Sequence, residues 1–151
     1  MSHNQLVNAV DILLIEDNPG DVRLTREAMK EARIAVNLNV ANDGLEAMAM
    51  LHQEAPYDSL PLPDLILLDL NMPRMDGREV LRLIKSDERL KHIPVVILTT
   101  SAAEKDIAQA YGMHANCYIT KPVELDQFME IVKAIEGFWL TVVKLPGNSS
   151  Q

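Results

Sequence analysis

A chain of 151 residues with 48% apolar and 24% charged residues has the composition of one globular domain. Its net charge of −8 and pI of about 4.9 argue against nucleic acids and anionic membranes as partners. The single cysteine, Cys117, excludes an internal disulfide, and the apolar runs are too short to span a bilayer. Because the N-terminal residues do not resemble a signal peptide, we expect a cytoplasmic protein.

The apolar pattern predicts strands that alternate with helices along the chain. We expect a lead-in over 1–10, one domain over 11–146 and a polar tail over 147–151. The predicted strands are about 11–16, 36–40, one that ends at 69, one that starts after 94, and 116–120. The predicted helices are about 19–33, one from 44 to 54, one from 77 to 87, 103–111, and 124–143.

One strand differs from the other four, and this difference predicts the strand order. Four strands are continuous apolar runs, which is typical of buried parallel strands. The second, at residues 36–40, alternates apolar and polar residues and therefore belongs at an edge. Strand 1, as a continuous apolar run, must be interior. A doubly wound α/β fold with a five-stranded parallel sheet of order 2-1-3-4-5, a common order that flavodoxin-like folds share, satisfies both requirements.

Each of the four apolar strands stops at polar residues. In chain order these are Glu16 and Asp17, Asp69, Thr99 and Thr100, and Lys121. In open parallel sheets, ligands bind outside the carboxyl ends of the strands. We therefore expect three carboxylates, a hydroxyl and one ammonium group to meet in one crevice.

This set of groups is suited to phosphoryl transfer with a divalent cation. Asp69 is the expected nucleophile, because carboxylates form acyl-phosphate intermediates. Glu16, Asp17 and Asp69 offer the hard oxygen ligands that suit Mg²⁺, and the backbone carbonyl of Asn71 is a candidate further ligand. Lys121 is expected to place a positive charge on a phosphoryl oxygen. Each residue alone has an ordinary explanation as a surface charge or a helix cap, but their combination favours a phosphoryl site.

The same residues occur in the order and spacing of a known family. Over about residues 11–137 the chain resembles the CheY-like receiver domains of two-component response regulators. The matching motifs are Glu16-Asp17, Asp69-Leu70-Asn71-Met72-Pro73-Arg74-Met75-Asp76-Gly77, Thr99 and Lys121-Pro122. The resemblance implies that Asp69 accepts a phosphoryl group from a phosphohistidine of a sensor histidine kinase, with Mg²⁺ bound.

The resemblance also implies roles for other residues near the predicted crevice. Thr99 turns toward the phosphoryl group after transfer, and Tyr118 repositions as its aromatic partner. The Lys121-Pro122 bond resembles one that is cis in this family. Thr100 stands where many members carry alanine, and we expect this difference to affect dephosphorylation.

Three further features resemble the stand-alone regulators that are partnered with bacterial, including cyanobacterial, phytochromes. They are Asp17-Asn18-Pro19-Gly20-Asp21, the loop Pro61 to Pro63, and the long last helix with the segment Phe138 to Pro146. This resemblance implies a light-regulated kinase as the partner. Nothing of domain size follows residue 146, so we expect the signal to leave through protein contacts.

The last predicted helix carries two apolar lines. We expect the first to pack on the sheet; it comprises Leu125, Phe128, Met129, Val132, Ile135, Trp139, Val142 and Val143. The second, Ile131, Phe138 and Leu145, is then left exposed and is our expected homodimer face. The alternative interpretation is scattered surface apolar residues.

Two other functions share parts of this pattern. A phosphatase of the haloacid-dehalogenase type also uses an aspartate nucleophile and Mg²⁺, but it needs a second aspartate where this chain has Asn71. A flavodoxin-like cofactor protein is disfavoured because the first loop is acidic and there is no glycine-rich phosphate motif. We expect a phosphoacceptor signalling protein with limited self-catalysed phosphorylation and dephosphorylation, not a conventional enzyme.

Overall fold

The computed structural model describes residues 9–72, 74–110 and 115–134. Within these ranges, strands and helices alternate as the sequence predicts. The strands are β1 (Val10–Ile15), β2 (Val36–Ala41), β3 (Leu65–Asp69), β4 (Val95–Thr99) and β5 (Cys117–Thr120). The helices are α1 (Pro19–Ala32), α2 (Gly44–Leu51), α3 (Gly77–Ser86), α4 (Ala102–Ala110) and α5 (Leu125–Ala134). None of the helices in these ranges is both long and apolar enough to cross a membrane.

The five strands form one parallel sheet of order β2-β1-β3-β4-β5, which confirms the predicted fold class and strand order. Every residue of β3 and β4 is buried. In β2, by contrast, only Ala41 is buried, because this strand lies at the edge of the sheet. The prediction of an edge strand from the alternating apolar and asparagine side chains of β2 is therefore confirmed.

The first three helices follow their strands after short loops and are capped by short polar side chains. Asn18 accepts a hydrogen bond from the Asp21 backbone N–H at 3.0 Å, with Pro19 in the first turn of α1. Asp43 and Asp76 make the equivalent contacts at the start of α2 and α3. These caps hold the helix N-termini at the edge of the sheet where the strands end.

The sheet separates two apolar cores, and alternate residues of β1 point into each. Leu13 and Ile15 belong to the core that contains α2 and α3, whereas Ile12 and Leu14 belong to the core that contains α1 and α5. Together the two cores hold the central strands rigidly, so the residues at the carboxyl ends of the strands have a fixed spacing.

The prediction for the last helix is wrong at Ile131. This side chain is fully buried with Phe128 in the second core, whereas Met129, which we expected on the sheet side, is 40% exposed. Residues 128 and 131 are one helical turn apart and share a face, and the sheet packs on that face. Ile131 therefore cannot belong to an exposed dimer face, and Phe138 and Leu145 lie outside the described residues.

Candidate functional site

Three carboxylates meet at the carboxyl ends of β1 and β3. Glu16 and Asp17 follow β1 directly, and Asp69 is the last residue of β3. These strands are parallel neighbours with Ile15 opposite Leu68, so the carboxylates fall side by side. One oxygen from each of the three carboxylates lies within 4.8 Å of the other two. Glu16 and Asp69 are each 1% exposed, whereas Asp17 is open to solvent.

Lys121, which follows β5, reaches across the sheet to this cluster. Its Nζ donates to Glu16 Oε1 at 3.1 Å and to Asp69 Oδ2 at 3.2 Å. Its backbone N–H donates to the Thr99 carbonyl at 2.7 Å, which fixes the start of the loop after β5. The Lys121-Pro122 peptide bond is cis, as the resemblance implied.

A third carboxylate partner of Lys121 was missed in the sequence. Asp21 Oδ2 accepts from Lys121 Nζ at 3.1 Å. Asp21 lies in the first turn of α1, and its backbone N–H is held by the Asn18 cap. The capping pattern places Asp21 near the end of β1, but no linear spacing connects it with a lysine 100 residues later.

The other predicted residues make no hydrogen bond with Lys121 Nζ in the part of the chain that the structure describes. Thr99 is fully buried, and its hydroxyl donates to the Ile119 carbonyl at 3.4 Å. Tyr118 is half-buried on β5 and packs against the first core. The Asn71 backbone N–H donates to Asp69 Oδ1 at 3.1 Å. Both oxygens of Asp69 therefore accept hydrogen bonds.

A glutamate that sequence reasoning missed links the two loops at the mouth of the site. Glu104 Oε2 accepts from Asn71 Nδ2 at 2.5 Å. Its Oε1 accepts from the Thr100 backbone N–H at 2.7 Å and from the Thr100 hydroxyl at 3.2 Å. The available sequence signal was the capping-box spacing from Ser101 to Glu104, which marks the start of α4.

Burial and mutual repulsion shift the pKa values in the cluster. Burial and the nearby Asp69 charge raise the pKa of Glu16 to about 7. Burial likewise raises the pKa of Asp69, although the Asn71 N–H and Lys121 oppose this. Burial alone would lower the pKa of Lys121, but the carboxylates of Asp69, Asp21 and Glu16 raise it above its ordinary value. One ammonium group thus faces more negative charge than it neutralises.

These donors fit a hard divalent cation. Three carboxylates converge on a small volume, and burial raises the pKa values of two of them, Glu16 and Asp69. A cation such as Mg²⁺ prefers carboxylate and carbonyl oxygens, and it would supply the missing positive charge. Glu16, Asp17 and Asp69 are the side chains that would hold it.

The backbone of Gly77 packs closely against the backbone of Asp69 and Leu70. A Cβ atom added to Gly77 would lie 2.5 Å from the Asp69 carbonyl oxygen and 2.7 Å from Leu70 Cα. Gly77 is the first residue of α3, so the absence of a side chain lets this helix approach the end of β3. The glycine in the predicted motif therefore has a structural function at the site.

Comparison with known proteins identifies the family to which this geometry belongs. The family model described as the response regulator receiver domain matches residues 12–133. The chain belongs to this family. Receiver domains of response regulators are signalling proteins and not conventional enzymes, and the phosphatase alternative finds no support in these matches.

The receiver domain is similar to several phytochrome-associated regulators. It is 50% identical to response regulator Rcp1 of Synechocystis over 135 residues, which is 89% of this chain and 92% of Rcp1. The phosphorylated cyanobacterial phytochrome response regulator RcpA is 53% identical, with a TM-score of 0.72 and coverage of 87% of this chain and 94% of RcpA. The bacteriophytochrome response regulator AtBRR has a TM-score of 0.80 at 41% identity, over 87% of this chain and 95% of its own. The resemblance to phytochrome response regulators is thus confirmed.

Proposed function

We propose that this receiver domain accepts a phosphoryl group on Asp69, with Mg²⁺ bound, and signals through protein contacts that depend on this modification. The observation that carries the proposal is the contact of Lys121 Nζ with Asp69 Oδ2 beside the three-carboxylate cluster. A buried carboxylate, a cation site and a positively charged ammonium group are the groups that phosphoryl transfer to a carboxylate requires.

In the proposed reaction, an Asp69 carboxylate oxygen attacks the phosphorus atom of a phosphohistidine. The new O–P bond forms an acyl phosphate as the N–P bond breaks, and the imidazole leaves and takes up a proton. Mg²⁺ would neutralise charge on the carboxylates and on the phosphoryl oxygens. Glu16, Asp17 and the Asn71 carbonyl would hold the cation with Asp69, and Lys121 would contact a phosphoryl oxygen.

Hydrolysis by water would reverse the modification and end the signal. We propose that Thr99 turns from the Ile119 carbonyl toward the phosphoryl group and that Tyr118 moves with it. The long 3.4 Å hydrogen bond of Thr99 is compatible with such an exchange of partner. Thr100 is exposed beside the site and is expected to influence the rate of hydrolysis.

A sensor histidine kinase is the proposed donor, and a phytochrome is the proposed light-regulated form of it. Similarity to RcpA and AtBRR supports this assignment, because both are described as phytochrome response regulators. The test uses purified proteins. A candidate kinase that carries a labelled phosphoryl group on its histidine should transfer this group to this chain faster than to an unrelated receiver domain.

We also propose a homodimer that involves the α4 and α5 side of the domain. Ile107 on α4 is 50% exposed and Met129 on α5 is 40% exposed, so this side presents apolar surface. Sedimentation equilibrium of Phe138→Asp beside the parent tests whether residue 138, which lies outside the described residues, contributes to the dimer. A monomeric parent would refute the dimer, and a dimeric mass in both parent and variant would count against a contribution from residue 138.

Intact-mass analysis after incubation with Mg²⁺ and acetyl phosphate tests the central proposal. The parent should gain one phosphoryl group, and Asp69→Ala should gain none. Asp106→Ala is the matched control, because it removes an exposed aspartate on α4 outside the cluster. A parent that stays unmodified, or an Asp69→Ala variant that is modified equally, would refute the assignment.

A further inference from the structure

The carboxylate of Glu104 lies between the two loops that frame the site. It accepts one hydrogen bond from the Asn71 side chain at 2.5 Å and two from Thr100, at 2.7 and 3.2 Å. Asn71 follows β3, and Thr100 follows β4. Through this one side chain, α4 is tied to the loop after β3, the strand that carries Asp69, and to the loop after its neighbour β4.

These contacts bring Glu104 into the immediate surroundings of the phosphoacceptor. Asn71 donates its backbone N–H to Asp69 Oδ1 and its side-chain amide to Glu104, so one residue connects the two carboxyl groups. Thr100 comes directly after β4, in which Leu98 is the register partner of Asp69. The Glu104 carboxylate therefore occupies donors that surround the end of β3.

The occupied donors are the kinds that bind phosphoryl oxygens. Backbone N–H, hydroxyl and side-chain amide groups all donate to phosphate, and hydrogen bonds to an anion are the stronger class. The acyl phosphate on Asp69 would carry about two negative charges in place of the one on the free carboxylate, and it would place them on phosphoryl oxygens that extend beyond the Asp69 carboxyl group. The two anions would then repel each other and compete for the same donors.

We infer that Glu104 is a positioning residue that occupies the donors of Thr100 and Asn71 in the unphosphorylated domain and is displaced when Asp69 is phosphorylated. This inference rests on the proposed function. Displacement releases the contact of α4 with Asn71, so the modification is coupled to the position of α4. Glu104 then disfavours the phosphorylated state and keeps its population low in the absence of a strong donor.

A simpler function for Glu104 makes a different prediction. Ser101 and Glu104 have the spacing of a capping box, and the Ser101 hydroxyl accepts from the Glu104 N–H at 3.1 Å. If Glu104 only caps α4, its replacement alters stability but not phosphorylation. Glutamine serves in capping boxes as glutamate does, so Glu104→Gln preserves the cap while it removes the charge.

The test compares Glu104→Gln, Glu104→Ala and the parent at saturating Mg²⁺ with a limiting concentration of acetyl phosphate. Glu88→Gln is the matched control, because Glu88 is 87% exposed and pairs only with Lys91 among its described contacts. The readouts are the ratio of phosphorylated to unphosphorylated protein by intact mass and the thermal unfolding midpoint. Saturating Mg²⁺ removes any indirect effect through cation affinity.

We expect the phosphorylated ratio to rise about two- to tenfold in both Glu104 variants, the range that loss of one net hydrogen bond corresponds to. Glu88→Gln should match the parent, and Glu104→Gln should unfold near the parent midpoint. If the parent is phosphorylated but Glu104→Gln shows an equal or lower ratio, the inference is overturned and the proposed function stands. If the parent accepts no phosphoryl group, the proposed function fails and the inference fails with it.

Discussion

Lys121 and Asp69 are 52 residues apart in the chain, and their side chains meet at 3.2 Å. The contact depends on β3, β4 and β5 being parallel neighbours, because each strand then delivers its last residues to the same edge. Lys121 is 11% exposed and Asp69 is 1% exposed, so the pair is largely shielded from solvent. Such a pair is costly to break from one side.

Replacement of Lys121 by methionine should destabilise the cation-free protein by about 3–5 kcal/mol, because buried carboxylates lose their counter-charge. Urea denaturation with and without Mg²⁺ measures this, and Mg²⁺ should restore a substantial part of the loss. Lys91→Met is the control: Lys91 pairs with the exposed Glu88, and its loss should cost less than about 1 kcal/mol. Equal losses in the two variants would contradict the account of the pair.

The raised pKa of Glu16 predicts how stability depends on pH. Its pKa is about 7 in the folded, cation-free protein against the ordinary 4.5. Between these values the folded state binds more protons than the unfolded state, so the free energy of unfolding from this group falls as pH rises from about 4.5 to about 7. Denaturation at several pH values should show this decline in the parent and a weaker one in Glu16→Gln.

Mg²⁺ binding should show the opposite pH dependence. The cation requires ionised carboxylates, so its apparent affinity should increase as pH rises toward 7 and then level off. Calorimetric titration in two buffers of different ionisation enthalpy should detect proton release below pH 7. Binding of Mg²⁺ without proton release at pH 6 would show that the carboxylates are already ionised and would contradict the raised pKa.

Gly77→Ala and Gly44→Ala separate loss of stability from loss of site geometry. A Cβ at Gly77 would lie 2.5 Å from the Asp69 carbonyl oxygen, whereas one at Gly44 would lie 2.4 Å from the Met75 carbonyl oxygen. Both variants should lose about 1–3 kcal/mol through overpacking. Only Gly77→Ala should also slow phosphorylation by acetyl phosphate, because only there must the backbone of Asp69 move. Equal phosphorylation rates for the two variants would contradict this.

The corrected face of α5 can be tested by truncation. Ile131→Ala should cost about 2–5 kcal/mol, because Ile131 is fully buried in the second core. Met129→Ala, at a position that is 40% exposed, should cost much less. Thermal or urea unfolding measures both. A larger loss at Met129 than at Ile131 would restore the original assignment of the helix faces.

The sequence was most informative where a strand pattern specifies a position in the sheet. The alternation of β2 placed it at an edge and the apolar run of β1 placed that strand in the interior, and the common order that satisfies both constraints is the one observed. Parallel strands share one direction, so Glu16, Asp17, Asp69 and Lys121 were expected at one edge and do lie there. These inferences need only the period of a strand and the polarity of a parallel sheet.

Helix faces and side-chain contacts were less accessible from the sequence. Apolar residues cover more than half of the circumference of α5, so its sequence is compatible with two different buried faces. Packing on the sheet, and not the helical period alone, determines that Ile131 is buried. Asp21 and Glu104 reach the site through the first turns of α1 and α4, whose directions depend on loop geometry. A linear sequence does not specify those directions, although each residue carries a recognisable capping pattern.

Chemical trapping of the modified residue tests the central claim most directly. Borohydride reduces an acyl phosphate of aspartate to homoserine, so peptide mapping after treatment with acetyl phosphate, Mg²⁺ and borohydride locates the phosphorylated carboxylate. We predict that the conversion occurs at Asp69, depends on Mg²⁺ and is strongly reduced in Lys121→Met. Conversion at a different carboxylate, or conversion at Asp69 that is equal without Mg²⁺, would contradict the account.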